Sequence, residues 1–466
     1  MEAVSRFIEI KYLVFIITVF GLVPFMVALA IDKRLICMAV LGLFIPFFNF
    51  EGTALNFMPI ESYRGTARGM EISLSYMVAL GIIMAILLRG KFKPHLPCMG
   101  SVLFFLYFLF SVLSLTHSED RTISFFEIWK MMMMYIVYLA VFMYLEYTKG
   151  NFGVLLYGLG AFIFICFLKV LEQHFAGKYQ VKAFFPHQNS MVMFVVLINI
   201  IMFSIFLNAR NNKQAWLSFF IFCCGAVSSL RTYSRGGVMS FIVSVVICFA
   251  LSLMFQFRAR KVPRSLLIVI FGIMGFLYFL PRIVLRFETA NKLSKETRVQ
   301  FATVAYNIIR DNKVFGVGIN NWSRTLEYHN EYKVDRKTDQ DMDLINNGIV
   351  ETIYLLVAAE CGIPALIALL SWFLYYFFLS IKLAYCLRNS KYFYFPAATA
   401  GGLLAIYLQS TLEWVLKQSI NFMLLMIIFA MLSYLGRNYK ILLREENGEA
   451  GGSGDSTIGK ELPANL

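Results

Sequence analysis

The chain is poor in charge. Asp, Glu, Lys and Arg make up only 15% of its 466 residues, 28 acidic against 42 basic, and there are just five histidines. With 59% hydrophobic residues and a mean hydropathy of +0.68, the sequence lies outside the range of soluble globular proteins. It also lacks the alternation of a membrane-spanning β-barrel. Its apolar runs of roughly 16–20 residues predict helices that satisfy their own backbone in lipid. No P-loop, nucleotide-binding glycine fingerprint or HExxH helix occurs, so ATP-driven chemistry on the cytoplasmic side has no support. Eight cysteines, Cys223 and Cys224 adjacent among them, form no CxxC or Cys/His metal spacing. They are expected to pack in the membrane core, with no disulfide framework. The net charge of +14 does not indicate nucleic acid, because the basic residues fall mainly in short loops between apolar runs, as the positive-inside rule expects. The first apolar run is long and others follow it, so no cleavable signal is expected.

What remains is a succession of apolar runs: 12–31, 35–50, 72–88, 100–115, 128–145, 153–171, 191–208, 216–230, 238–257, 265–281, 353–386, 396–411 and 421–436. The expected fold is an all-α polytopic membrane protein with about 12–13 transmembrane helices and one large non-cytoplasmic loop. The run 353–386 is too long for one straight crossing and is expected to tilt or break. Basic residues concentrate in alternate loops, among them Asp32-Lys33-Arg34, Arg258/Arg260/Lys261/Arg264 and Arg437/Lys440/Arg444, which places those loops in the cytoplasm. The opposite side then holds 51–71, 116–127, 172–190, 231–237, 282–350 and 412–420. The chain divides into membrane helices over 1–281, the loop 282–350, C-terminal membrane helices over 351–440, and a flexible cytoplasmic tail over 441–466.

The polar side chains with chemical potential lie on that non-cytoplasmic side. Arg231 and Arg235, in Leu230-Arg231-Thr232-Tyr233-Ser234-Arg235-Gly236-Gly237, sit at a seam between two spans. A planar guanidinium there suits a phosphate, and Gly236-Gly237 allows close backbone approach; interfacial snorkelling is the alternative. His187 and Asn189, in Phe185-Pro186-His187-Gln188-Asn189-Ser190, either hydrogen-bond a sugar or phosphate or cap a helix. Glu351 re-enters apolar sequence, with Glu360 nine residues on. A partly desolvated glutamate there can act as general base toward a hydroxyl, or it merely faces water. His329 is the competing base, or a surface residue. Glu413-Trp414 and Lys417-Gln418 close the pocket from the far side or form an interfacial belt. Asp339, Asp341 and Asp343 resemble a cation-binding acidic run, but such runs are usually just solvated, and no metal site is assigned.

Taken in order, these motifs resemble the O-antigen ligase and O-antigen polymerase family of bacterial envelope glycosyltransferases. The resemblance rests on Phe185 to Ser190, then Ser234-Arg235-Gly236-Gly237, then Thr297-Arg298 opening an amphipathic stretch that ends in Asp311-Asn312-Lys313-Val314-Phe315-Gly316-Val317-Gly318. Val350-Glu351-Thr352-Ile353-Tyr354-Leu355 and Ala359-Glu360-Cys361-Gly362-Ile363-Pro364 complete it. It covers residues 180–365. It implies a GT-C-like membrane enzyme of the bacterial inner membrane that transfers a glycan from an undecaprenyl-diphosphate carrier to a glycan or lipid acceptor, with no cofactor, nucleotide or metal. A chain-length regulator is the protein partner such a polymerase implies. Arg235 and Arg298 then contact the diphosphate and Glu351 is the base; beside what the resemblance implies, Arg231, His187, Asn189, His329, Tyr354 and Glu413 are the expected substrate-binding residues. The ligases usually carry His-Asn where this chain has Glu351-Thr352, which favours a polymerase over a ligase acting on lipid A core. A transporter or lipid flippase, with Arg235 and Glu351 as a relay, is the alternative of another class.

Overall fold

The structure, a computed structural model, describes residues 20–48, 54–60, 62–90, 98–288, 292–333 and 348–451, together with Leu13 and Ile17. Its helices are α1 (Phe20–Ile31), α2 (Lys33–Gly42), α3 (Leu74–Leu88), α4 (Met99–Leu113), α5 (Arg121–Thr148), α6 (Phe152–Phe175), α7 (Gln188–Asn208), α8 (Asn212–Arg231) and α9 (Arg235–Phe255). They continue with α10 (Lys261–Glu288), α11 (Lys292–Asp311), α12 (Trp322–Tyr328), α13 (Ile353–Cys386), α14 (Tyr394–Gln409) and α15 (Ser419–Gly451). One antiparallel hairpin, β1 (Ala54–Phe57) with β2 (Met70–Ser73), pairs Ala54 with Ser73 and Phe57 with Met70. The protein is an all-α polytopic membrane protein.

Among the described residues eight helices are long and apolar enough to cross a bilayer: α4 with its 3-10 extension to His117, α5 to α9, α13, and α15 as far as Glu446. The expected runs 12–31 and 72–88 appear as the shorter apolar helices α1 and α3, run 396–411 is the 16-residue α14, and run 265–281 lies within α10. Run 35–50 is corrected. It forms the ten-residue α2 and a 3-10 turn at Ile45–Phe48, and ten helical residues rise only about 15 Å, half the hydrocarbon thickness. The last helix continues to Gly451, so the start of the expected flexible tail is helical. The rest of that tail and Asp339, Asp341 and Asp343 lie outside the described residues.

Helix α7 is the central pillar. Every residue from Ser190 to Asn208 is buried, as a helix apolar all round requires, and α8, α9 and α14 pack against it. A second pairing sets α15 against α5 and α13 against α4.

The run 353–386 breaks as expected. Gly362 adopts φ 86°, ψ 171° inside α13, followed by Pro364, so the helical ladder is interrupted inside the bundle. Backbone groups freed there need partners, and the turn after α11 supplies them. Ile363 N–H donates to the Lys313 carbonyl at 2.8 Å, and Val317 N–H donates to the Ala359 carbonyl at 3.1 Å. A Cβ on Gly362 would lie 2.1 Å from the Val314 carbonyl oxygen, and one on Gly316 2.4 Å from the Glu360 backbone, so glycine at both positions makes this docking possible.

The described part of 282–350 is therefore a folded cap. Phe301, Val304, Ala305 and Ile308 of α11 join Trp322, Leu326, Val350, Leu356 and Ala359 in a separate apolar cluster, with Trp414 packed against it. The turn Gly316 to Trp322 is pinned by Asn320, which is left-handed at φ 61°. Its side chain accepts from Thr66 N–H at 2.7 Å and donates to the Ala67 and Ile123 carbonyls at 2.8 and 2.9 Å. The loop after β1 and the start of α5 are thereby bound to the cap.

Candidate active site

Arg298 organises the site. On α11 the buried positions Phe301, Ala305 and Ile308 follow it at spacings of three and four, so Arg298 prolongs the helix's inward stripe to its edge. There its Nε–H donates to Glu351 Oε2, and its Nη2 lies 3.5 Å from Glu413 Oε1. Asn189, in the first turn of α7, donates from Nδ2 to the same Glu413 oxygen. One guanidinium thus joins two carboxyl groups, and an amide holds the second of them.

Glu351 reaches this place through the start of α13. Ile353 N–H and the Thr352 hydroxyl both donate to the Ser410 carbonyl, at 3.2 and 3.3 Å, which ties the helix start to the end of α14. Three residues beyond Ser410 is Glu413. Its side chain is 13% exposed, against 35% for Arg298 and Glu351. Burial, then the neighbouring Glu351 charge, push the Glu413 carboxyl up to about 8 against the opposing pull of Arg298 and Asn189. Two carboxyl groups on one cation, one of them held neutral at pH 7, form a pair suited to proton transfer.

Arg235 opens α9, capped by Ser234, whose hydroxyl accepts from Gly237 N–H at 3.2 Å. A Cβ on Gly236 would lie 3.7 Å from Leu412, the neighbour of Glu413, so this helix start adjoins the Glu413 loop. The close approach expected of Gly237 is to α7. A Cβ there would meet Val192 at 2.3 Å, so the glycine lets α9 pack closely against α7. Arg235, Ser234 and Tyr233 also line a cavity of about 740 Å³ between α8, α9 and α10, whose other walls, such as Phe222, Val245, Ile268 and Phe271, are almost wholly apolar.

The remaining expected residues lie elsewhere. Arg231 Nη1 is 3.3 Å from His174 Nδ1. His187 caps α7, its Nδ1 accepting from Asn189 N–H at 3.2 Å, and burial and then Lys182 lower its pKa, in keeping with a neutral acceptor. Tyr354 donates to the Tyr407 carbonyl at 2.8 Å, joining α13 to α14. His329 is paired with Glu119 at 2.9 Å and Glu331 at 2.8 Å, and those hydrogen bonds raise its pKa. It belongs to a solvent-facing cluster, not to the Arg298 group.

Sequence reasoning overlooked Glu127 and Lys130. With Glu360 and Lys417 they form a buried ion cluster beneath the site, Lys130 Nζ lying 2.6 Å from Glu127 Oε2. The signal was present: opposite charges three residues apart at the start of the apolar run 128–145, where an ionisable group is costly without a partner.

Residues 217–370, about a third of the chain, match the family model described as O-antigen ligase. No curated protein matches the chain. The matched segment contains Arg235, Arg298, Glu351 and Glu360, whereas Asn189 and Glu413 are contributed from outside it. The family is one of glycosyltransferase-like enzymes with ligase- or polymerase-type activity. By this matched segment, set in a multi-pass helical architecture, the chain is similar to the O-antigen ligase/polymerase-like family.

Proposed function

We propose that the protein is a glycan polymerase of the bacterial inner membrane that moves a glycan from an undecaprenyl-diphosphate carrier to an acceptor hydroxyl at the periplasmic face, using neither nucleotide nor metal. The observation that carries the reading is the apolar cavity ending on Arg235, at the helix start that adjoins the loop bearing Glu413. A cavity of about 740 Å³ with apolar walls and one guanidinium at its end suits a long hydrocarbon attached to an anionic head. The head then lies on the side of the carboxyl pair. As the acceptor oxygen bonds to the anomeric carbon, the bond from that carbon to the carrier's diphosphate oxygen breaks. The hydroxyl proton passes to Glu351, and Arg235 and Arg298 offset the charge gathering on the departing diphosphate. Attack opposite the leaving group inverts the anomeric centre. Glu351 in place of the ligases' His-Asn favours a glycan acceptor over lipid A core.

The test is transfer by the purified full-length protein from a lipid-diphosphate-linked glycan in detergent, with chelator and without nucleotide. Arg235→Lys keeps the charge but loses the bidentate fork, and transfer should fall at least about tenfold at equal expression. Wild-type transfer in that variant would remove Arg235 from the site. No transfer by wild type with a verified substrate would sink the reading.

A further inference from the structure

Four ionic side chains are almost sealed within the protein just below the Arg298 group: Glu127 and Lys130 of α5, Glu360 of α13, and Lys417 of the loop after α14, each at most 6% exposed. Lys417 Nζ lies 3.3 Å from Glu360 Oε2 and 3.6 Å from Glu127 Oε1. Lys130 Nζ, 2.6 Å from Glu127 Oε2, closes a ring by donating to the Lys417 carbonyl at 2.9 Å and donates to the Thr66 carbonyl at 3.0 Å, while Glu360 joins the ring through Lys417. Thr66 Oγ1 donates to the same Glu127 Oε2 at 2.7 Å, and Trp322 N–H donates to the other Glu360 oxygen, Oε1, at 3.3 Å. Two cations and two anions sum to zero. A cluster whose four charges all have partners calls for no ligand, and burying ions adds little to stability over a well-packed apolar core. Such a ring holds several elements in one register.

The elements it holds are those that build the site. Lys417 belongs to the same short loop as Glu413, Glu360 sits at the break of α13 downstream of Glu351, and Trp322 ends the turn that follows α11. On its other side the loop is tied to the start of α7. Asn421 Nδ2 donates to the Val415 carbonyl at 2.9 Å and to Ser190 Oγ at 3.0 Å, and Ser190 is the neighbour of Asn189, which holds Glu413.

We propose that this buried ring sets the position of the Glu413 carboxyl against Asn189 and Arg298, making Lys417 and Glu360 positioning residues for the reaction. The proposal rests on the function read above, in that the group it positions is taken to be the reacting one. Its structural part is testable without any activity. In full-length protein, Asn189→Cys with Glu413→Cys should be bridged by a short bis-thiol-reactive reagent whose span replaces the lost side-chain length, read as the linked peptide by mass spectrometry. Adding the charge-balanced pair Lys417→Met and Glu360→Met leaves Glu127 and Lys130 to each other and should keep the protein folded in thermal unfolding, yet lower the cross-link yield at least about fivefold. In a background without the new cysteines the same pair should lower kcat on the order of 10²-fold with KM for the lipid-linked donor little changed, since displacements near 1 Å cost that much. A folded variant that cross-links as well as its parent overturns the proposal. If the double variant does not fold, Glu360→Gln, nearly isosteric and still an acceptor for Trp322, takes its place, and an unchanged yield there is equally fatal. Failure of all glycan transfer alongside a lowered yield would refute the functional reading and leave the positioning of Glu413 by the ring standing.

Discussion

Replacing Glu351 by Gln separates its role as a base from its role as a partner of Arg298. The amide keeps an oxygen that can accept from the Arg298 Nε–H, so the guanidinium stays in place. Both side chains of the pair are 35% exposed, and a pair so open to water contributes only about 0–1 kcal/mol to stability. Loss of a positioned base slows turnover by about 10²–10⁴-fold, or roughly 2.7–5.4 kcal/mol of barrier. The second figure exceeds the first, so unfolding cannot account for a loss of that size. A spectroscopic consequence accompanies it. The Glu351 charge is one of the two influences raising Glu413 to about 8, so Glu351→Gln should shift the Glu413 titration to lower pH, visible in the carboxyl band of pH-difference infrared spectra. The assay is glycan transfer from a lipid-diphosphate donor at saturating acceptor, with His329→Ala as comparison, because His329 is occupied by Glu119 and Glu331 and should retain most activity. Full turnover in Glu351→Gln, together with loss in His329→Ala, would refute the assignment of the base.

Further outcomes are expected. Glu413 holds its proton in the folded protein up to about pH 8, whereas an unfolded glutamate loses it near about 4.3. Its contribution to stability, on the order of a few kcal/mol, is thus fully present below about pH 4.3 and lost as the pH rises through about 8. Glu413→Gln should flatten thermal stability across that window and remove an alkaline limb of the rate near pH 8; an unaltered profile would show that another group titrates there. Val245→Trp places bulk in the wall of the cavity beside Arg235 and should raise KM for the lipid-linked donor on the order of tenfold, about 1.4 kcal/mol, with a short-chain lipid donor affected less. Equal effects on both donors would place the hydrocarbon elsewhere. Tyr328→Cys, at a position 63% exposed on the cap, should react with an impermeant thiol reagent in intact spheroplasts, since the basic loops assign the cap to the outside. Reaction only after lysis would invert the orientation.

Much of this protein was determined locally by its sequence. Apolar runs far longer than a soluble core needs can be hidden only in lipid, and in lipid only a helix satisfies its own amides, so the all-α polytopic fold followed from composition and run length. Gly362 and Pro364 inside an overlong run marked the break in α13, and the spacing of Phe301, Ala305 and Ile308 placed Arg298 on the inward stripe of its helix. The meeting of side chains across the bundle was decided only by tertiary structure. Glu413 stands 115 positions from Arg298 and 224 from Asn189, and nothing local to any of them specifies that partnership. Nor does local sequence specify the raised carboxyl of Glu413, because that comes from burial and from the neighbouring Glu351 charge. Periodicity governs which face a helix buries; which residues that face meets depends on how whole helices pack, and on loops such as 412–418 being fixed by ions from distant parts of the chain.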